Sequence, residues 1–148
     1  MNRFLAAVAL LGLAICGTAQ GQECTQVIEG NDLIQWNVSE IRVSAACEEV
    51  TINLVHTGQL AANVMGHNWV LTTTADYMPL ATVAAAAGPP EYLPADDPRV
   101  IAATDMLGGG EETSLTFSLS GLEPGGDYTY FCSFPGHYIL MNGKFIIE

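Results

Sequence analysis

The sequence predicts an all-β fold: a Greek-key antiparallel sandwich or barrel of about eight strands, carrying one helix-plus-loop insertion. Short runs alternate apolar and polar residues at period two, and turn signals separate them every few residues. One Ala- and Pro-rich stretch alone breaks that rhythm.

The strands follow in chain order. Residues 25–29, 34–37 and 41–44 are short extended runs, the first two parted by Gly30-Asn31-Asp32. In the run 51–56, Val50, Ile52, Leu54 and His56 fall on one face, the pattern of a strand with one buried side. Residues 68–73 follow. At 77–98 the pattern fails: Ala81 to Ala87 favours two or three helical turns, and Pro89, Pro90, Pro94 and Pro98 then forbid regular structure. Residues 100–103 resume the strands. The run 114–119 has an all-Ser/Thr polar face, and 128–132 and 144–147 are rich in aromatic and branched residues. Gly108-Gly109-Gly110 and Glu123-Pro124-Gly125-Gly126 supply the late turns.

Composition bounds the function. The 148 residues suit one ordinary domain, and 49% apolar content is enough for a core. Sixteen acidic residues face four basic ones, a net charge of -12. A nucleic-acid binder needs the opposite sign, and an anionic membrane surface would repel this chain. An acidic surface favours basic partners.

The N-terminus reads as an export signal. Arg3 precedes an apolar run, and Gly17-Thr18-Ala19-Gln20-Gly21 supplies small residues for cleavage after Gly21. Residues 1–21 are then a signal peptide and residues 22–148 a single periplasmic domain. Cys16 lies in a run similar to a lipoprotein box, but Ile15 before it is not small, so a soluble exported form is expected. Cleavage removes no acid, and the charge belongs to the domain. Export permits disulfides. Of Cys24, Cys47 and Cys132, the first two lie close in sequence and pair; Cys132, alone far along the chain, stays free.

Cys132 begins the one loaded segment, Cys-x4-His-x3-Met through His137 to Met141. A second histidine, His67, stands upstream in Met65-Gly66-His67-Asn68-Trp69. A thiolate, two imidazoles and a thioether are the donor set of a copper electron-transfer site. Structural zinc prefers four strong ligands, and Met is a poor one. A Cys-His hydrolase would need an orienting group and a substrate pocket that the sequence does not indicate. Singly, each residue has an ordinary structural use; two of only three histidines falling in these two places argues for a site.

These segments resemble the azurins, blue-copper proteins of the cupredoxin superfamily. The stretch 63–71 is similar to the signature around their first copper histidine, and 131–141 to their ligand loop; Gly30-Asn31-Asp32, Arg99-Val100-Ile101-Ala102 and the Cys24–Cys47 pairing fit as well. The resemblance implies one type-1 copper held by His67, Cys132 and His137, with Met141 and the Gly66 carbonyl as weak axial contacts. It implies that the Asn68 side chain ties the ligand loops together and that backbone N–H groups near Phe134 bond the Cys132 sulfur. His56 would lie near the metal without binding it, and Trp69 would pack in the core. Electrons would leave through His137 and an apolar patch of Met65, Phe134, Pro135, Gly136, Ile139 and Leu140. The expected function is a monomeric one-electron carrier, not an enzyme, serving transient partners such as c-type cytochromes or periplasmic reductases. The alternative is a periplasmic copper-binding or storage protein. The chain departs from the family in its acidity and in the insertion 77–98.

Overall fold

The computed structural model describes residues 24–148; the export signal and Cys16 lie outside the described residues. The strands are β1 (Thr25–Asn31), β2 (Gln35–Trp36), β3 (Glu40–Val43), β4 (Glu49–His56), β5 (Val70–Thr73), β6 (Ala102–Ala103), β7 (Glu112–Ser118), β8 (Tyr128–Phe131) and β9 (Asn142–Ile147). They form two facing sheets, ordered β2-β1-β4-β7 and β3-β9-β8-β5-β6. Most neighbours are antiparallel, but β1 and β4 run parallel, as do β3 and β9. The physical reason is the path of the chain: after β2 it crosses to the second sheet as β3, then returns as β4 beside β1 in the same direction. A parallel pair requires such a crossover, since no tight turn can join it.

The period-two reading of β4 holds residue by residue. Val50, Ile52, Leu54 and His56 are all 0% exposed, while the alternate positions face outward. Val50, Ile52 and Leu54 meet Ile28 from β1 and, across the sandwich, Trp69, Leu71, Tyr130 and Phe145. The Trp69 ring lies 5.9 Å from both Tyr130 and Phe117 and 6.1 Å from Phe145, separations at which aromatic pairs add to burial. Trp69 is a packing residue, as its sequence context suggested. The Cys24–Cys47 disulfide fastens the start of β1 beside the start of β4, where the Thr51 N–H also donates to the Cys24 carbonyl.

The insertion is part helix and part loop. Helix α1 (Ala62–Met65) is a single turn just before Gly66-His67, and α2 (Thr74–Ala87) is longer than the alanine run implied. It starts earlier because Thr73 caps it, accepting the Asp76 N–H and donating to the Asp76 carboxylate. Pro79 is accommodated inside the helix. Leu80, Ala81 and Ala84 bury one face, and Leu80 and Ala81 join Val70 and Phe131 in a second apolar cluster on the outer side of the second sheet.

Register decides where function can sit. Phe131 ends β8 opposite both Val70, which begins β5, and Asn142, which begins β9. The residues just beyond those ends are Cys132, Trp69 and Met141. The loaded segments therefore converge at one end of the sandwich, where β4 also terminates at His56.

Candidate metal centre

Three donors meet there. His67, Cys132 and His137 have ligating atoms all within 4.8 Å of one another. The Cys132 Sγ lies 3.9 Å from His67 Nδ1 and 3.7 Å from His137 Nδ1. A metal bonded at about 2.05 Å to nitrogen and about 2.3 Å to sulfur, with the bonds about 120° apart, spaces N and S about 3.8 Å from one another. The donors present thus fit a metal ion, and thiolate with two imidazoles suits copper. The Gly66 carbonyl oxygen is 3.7 Å from the same sulfur. Gly66 tolerates no side chain, because a Cβ would sit 2.4 Å from the Ala62 carbonyl and 2.8 Å from Met106 Sδ.

Each ligand is held by the scaffold. His67 Nε2–H donates to the Asn31 carbonyl at 2.9 Å, which fixes the tautomer and leaves Nδ1 free of a proton. Its backbone pairs with Leu107 in an isolated bridge. The His137 backbone carbonyl accepts the N–H of both Leu140 and Met141, and the Cys132 N–H donates to the Met141 carbonyl. Cys132, His137 and Met141 are thereby locked as one folded loop, with a 3-10 turn at His137–Ile139.

Asn68 hydrogen-bonds the loop that follows Cys132. Its Oδ1 accepts the Ser133 N–H at 2.9 Å and the Ser133 hydroxyl at 3.0 Å, and its Nδ2–H donates to the Ser133 hydroxyl and to the Glu91 carbonyl. Backbone N–H groups of Asn68 and Phe134 both face the Cys132 sulfur. The resemblance pointed to N–H groups near Phe134 and not to that of Asn68.

Burial dominates the electrostatics. It pushes the Cys132 thiol up to about 12, opposed by those N–H groups. It pushes His137 down to about 4, helped by the nearby imidazoles, and lowers His67 as well. Two neutral imidazoles are in the protonation state a metal requires, and the thiol ionises only when a cation compensates the buried charge.

The remaining predicted residues are placed as follows. Met141 is fully buried beside the donors. His56 stands apart from the ligand cluster, its ring stacked on His67 at 4.2 Å, with Nε2–H donating to the Met65 carbonyl and Nδ1 accepting the Gly58 N–H. Pro135, Gly136, Ile139 and Leu140 are exposed, and Met65 and Phe134 half-buried. The Phe134 ring is 4.5 Å from that of His137. Sequence reasoning missed Trp36, whose ring lies 6.0 Å from His67, and Met106, packed against Gly66. It also missed Leu33, Leu60 and Val64, which are 73%, 41% and 56% exposed. The Gly30-Asn31-Asp32 run was the available signal for Asn31. The loop after α2 lies at the site: Tyr92 packs on Phe134 at 5.1 Å and Glu91 bonds Asn68.

Comparison with known proteins agrees with this geometry. The family model for copper binding proteins of the plastocyanin/azurin family matches residues 22–148. The chain is 46% identical to the azurin of Pseudomonas aeruginosa over the whole of both chains. It is 53% identical to azurin-1 of Alcaligenes xylosoxydans xylosoxydans, over 82% of this chain and 95% of that one. Among solved structures, the azurin Az-iso2 of Methylomonas sp. strain J superposes with a TM-score of 0.80 at 40% identity, covering 84% of this chain and 98% of the other. With a copper donor set assembled at the end of a two-sheet sandwich, and with these relatives, the chain belongs to the plastocyanin/azurin family of copper binding proteins.

Proposed function

We propose that this electron-transfer protein holds its copper through His67, Cys132 and His137, with Met141 and the Gly66 carbonyl as weaker contacts, and passes single electrons to transient partners through the face around His137. The carrying observation is the buried convergence of one thiol and two imidazoles within 4.8 Å. Copper in such a site supplies a one-electron couple between Cu(I) and Cu(II). The chain's part is to keep the donors still. Asn31 orients His67, Asn68 and Ser133 bind the two loops, and the Met141 carbonyl anchors Cys132. Donors that do not move leave little to reorganise when charge changes, which favours fast exchange over tight one-state storage.

The protein acts as a carrier rather than an enzyme: Cys132 and His67 are 0% exposed and His137 4%, so no substrate reaches the donors. The Phe134 ring packs 4.5 Å from that of His137, and Pro135, Gly136, Ile139 and Leu140 of the same loop are exposed; a small apolar contact suits brief redox encounters with partners such as c-type cytochromes or periplasmic reductases. Residues 1–21 direct export to the periplasm, where residues 22–148 work as a monomer. The family match from residue 22 and the Cys24–Cys47 disulfide support the export of that domain. Among the described residues no helix is long and apolar enough to cross a membrane.

The test is the visible absorption spectrum after addition of Cu(II), followed by ascorbate. An intense blue band that bleaches on reduction and returns on oxidation is expected, and Cys132→Ser should abolish it. A colourless wild-type protein that retains bound copper would overturn the ligand assignment.

A further inference from the structure

We propose that the metal-end face receives a cationic protein partner: its apolar centre sits inside a rim of uncompensated carboxylates and meets an apolar patch ringed by lysine and arginine. This rests on the electron-carrier reading above and names the partner's chemistry.

The argument starts from where the charges sit. Strand register gives the sandwich two ends, a metal end at Val70, Phe131 and Asn142 and a far end at Thr73, Tyr128 and Ile147. Every cation among the described residues belongs to the far half. Lys144 stands opposite Thr129 and pairs with Asp127 at 2.7 Å. Arg42 stands opposite Ile146 and pairs with Glu148 at 2.8 Å and Glu40 at 3.1 Å. Arg99 is tied to Thr72 through its carbonyl and pairs with Asp97 at 2.6 Å. Each positive charge is already neutralised.

The metal end carries only carboxylates. Asp32 follows β1 and accepts the N–H groups of Gln59 and Leu60. Glu91 accepts the Met106 N–H beside the Asn68 loop, and Glu111 accepts that of Gly108. Asp105 and Glu112 are exposed, the latter opposite Val55 near the end of β4. Among the described residues no ion pair reaches any of these five side chains. Backbone N–H groups orient a carboxylate without cancelling its charge.

Between these carboxylates lies apolar surface broader than the ligand loop alone. Ile139 and Leu140 are 66% and 65% exposed, and Leu33, next to Asp32 in the chain, and Val64, three residues before His67, are 73% and 56% exposed. A greasy centre with a rim of one sign selects for a partner of the other sign. Opposite charges raise the encounter rate by up to orders of magnitude at low ionic strength, and the effect fades as salt shortens the screening length. The same rim repels a second copy of this chain. Electron exchange between two copies and exchange with a basic partner therefore respond to salt in opposite directions.

The experiment uses the copper-loaded protein and a basic mono-haem c-type cytochrome as the probe partner. Stopped-flow rates are read between about 10 mM and about 300 mM salt, and self-exchange is read from NMR line widths of mixed oxidation states. The partner rate should fall about tenfold across that range while self-exchange rises. Two variants separate the rim from the overall charge. Asp105→Lys, at the metal end, should slow the cytochrome reaction about fivefold at low salt, whereas Glu123→Lys, at the far end with the same change in net charge, should alter it by less than about twofold. Equal slowing by both variants, or a partner rate that salt does not lower, would overturn the proposal. Ascorbate bleaching of the blue band depends on neither, so failure of the electron-carrier reading would be seen separately.

Discussion

Replacing Asn68 with Leu tests whether the two ligand loops are held by that one side chain. Asn68 is fully buried, and its Oδ1 is the acceptor for the Ser133 N–H, itself on a residue 1% exposed. Leucine fills a similar volume but accepts nothing. The Ser133 hydroxyl keeps the Glu91 carbonyl at 3.1 Å, so the stranded group is the backbone N–H. Leaving a buried donor unpaired costs about 1–3 kcal/mol, and the lost hydroxyl–amide bonds add roughly 1 kcal/mol more. The sum, about 2–4 kcal/mol, is a large share of a domain's total stability of about 5–15 kcal/mol. Urea unfolding of the metal-free protein reads it directly, with a midpoint lowered by about 1–2 M. Ser133→Ala is the control: it removes the hydroxyl but leaves Asn68 Oδ1 to accept the N–H, so it should cost only about 1 kcal/mol. If Asn68→Leu is no more destabilising than Ser133→Ala, the stranded N–H argument is wrong.

Three further outcomes follow from the same geometry. Gly30→Ala places a Cβ 2.7 Å from His67 Cδ2 and 3.0 Å from Trp36 Cζ3, so it should destabilise the protein by about 1–3 kcal/mol and shift the copper absorption band, read by thermal melts and visible spectra. In metal-free protein at pH 8, the buried Cys132 thiol, pushed up to about 12, should react with a disulfide reagent far more slowly than it does in urea; equal rates would show it exposed. Asp97 is held down to about 2 by hydrogen bonds from Arg99, so its contribution is complete above the ordinary carboxylate range and is lost as pH falls from about 4 toward 2; carboxyl NMR titration should show this midpoint, and Arg99→Gln should return it toward 4.

The strands were legible because the sandwich buries one face of each. Val50, Ile52, Leu54 and His56 announce β4 through a period that only a half-buried strand satisfies. The pairing directions of β1 with β4 and β3 with β9 were not legible. Periodicity reports which face is buried and says nothing of which strand lies alongside. The alanine run alone did not give the length of α2, whose start is set by the capping signal at Thr73 and Asp76, three residues before Tyr77.

The donor set was legible for a different reason: it is chemistry concentrated in two short segments. Cys132 and His137 lie within one loop, and only His67 must arrive from elsewhere. What fixes those donors was far less visible, because the fixing groups are mostly backbone. The Asn31 carbonyl orients His67, the Met141 carbonyl anchors Cys132, and the N–H groups of Asn68 and Phe134 face the sulfur. Every residue carries such groups, so residue type does not mark them; register alone brings them to the site. The consequence is a division of labour. Side chains choose the metal, while the strand ends beside them, with Asn68 and Ser133 joining those of β5 and β8, choose its geometry. A substitution that preserves His67, Cys132 and His137 but displaces the backbone around them, such as one at Gly30 or Gly66, should therefore disturb the copper site as surely as loss of a donor.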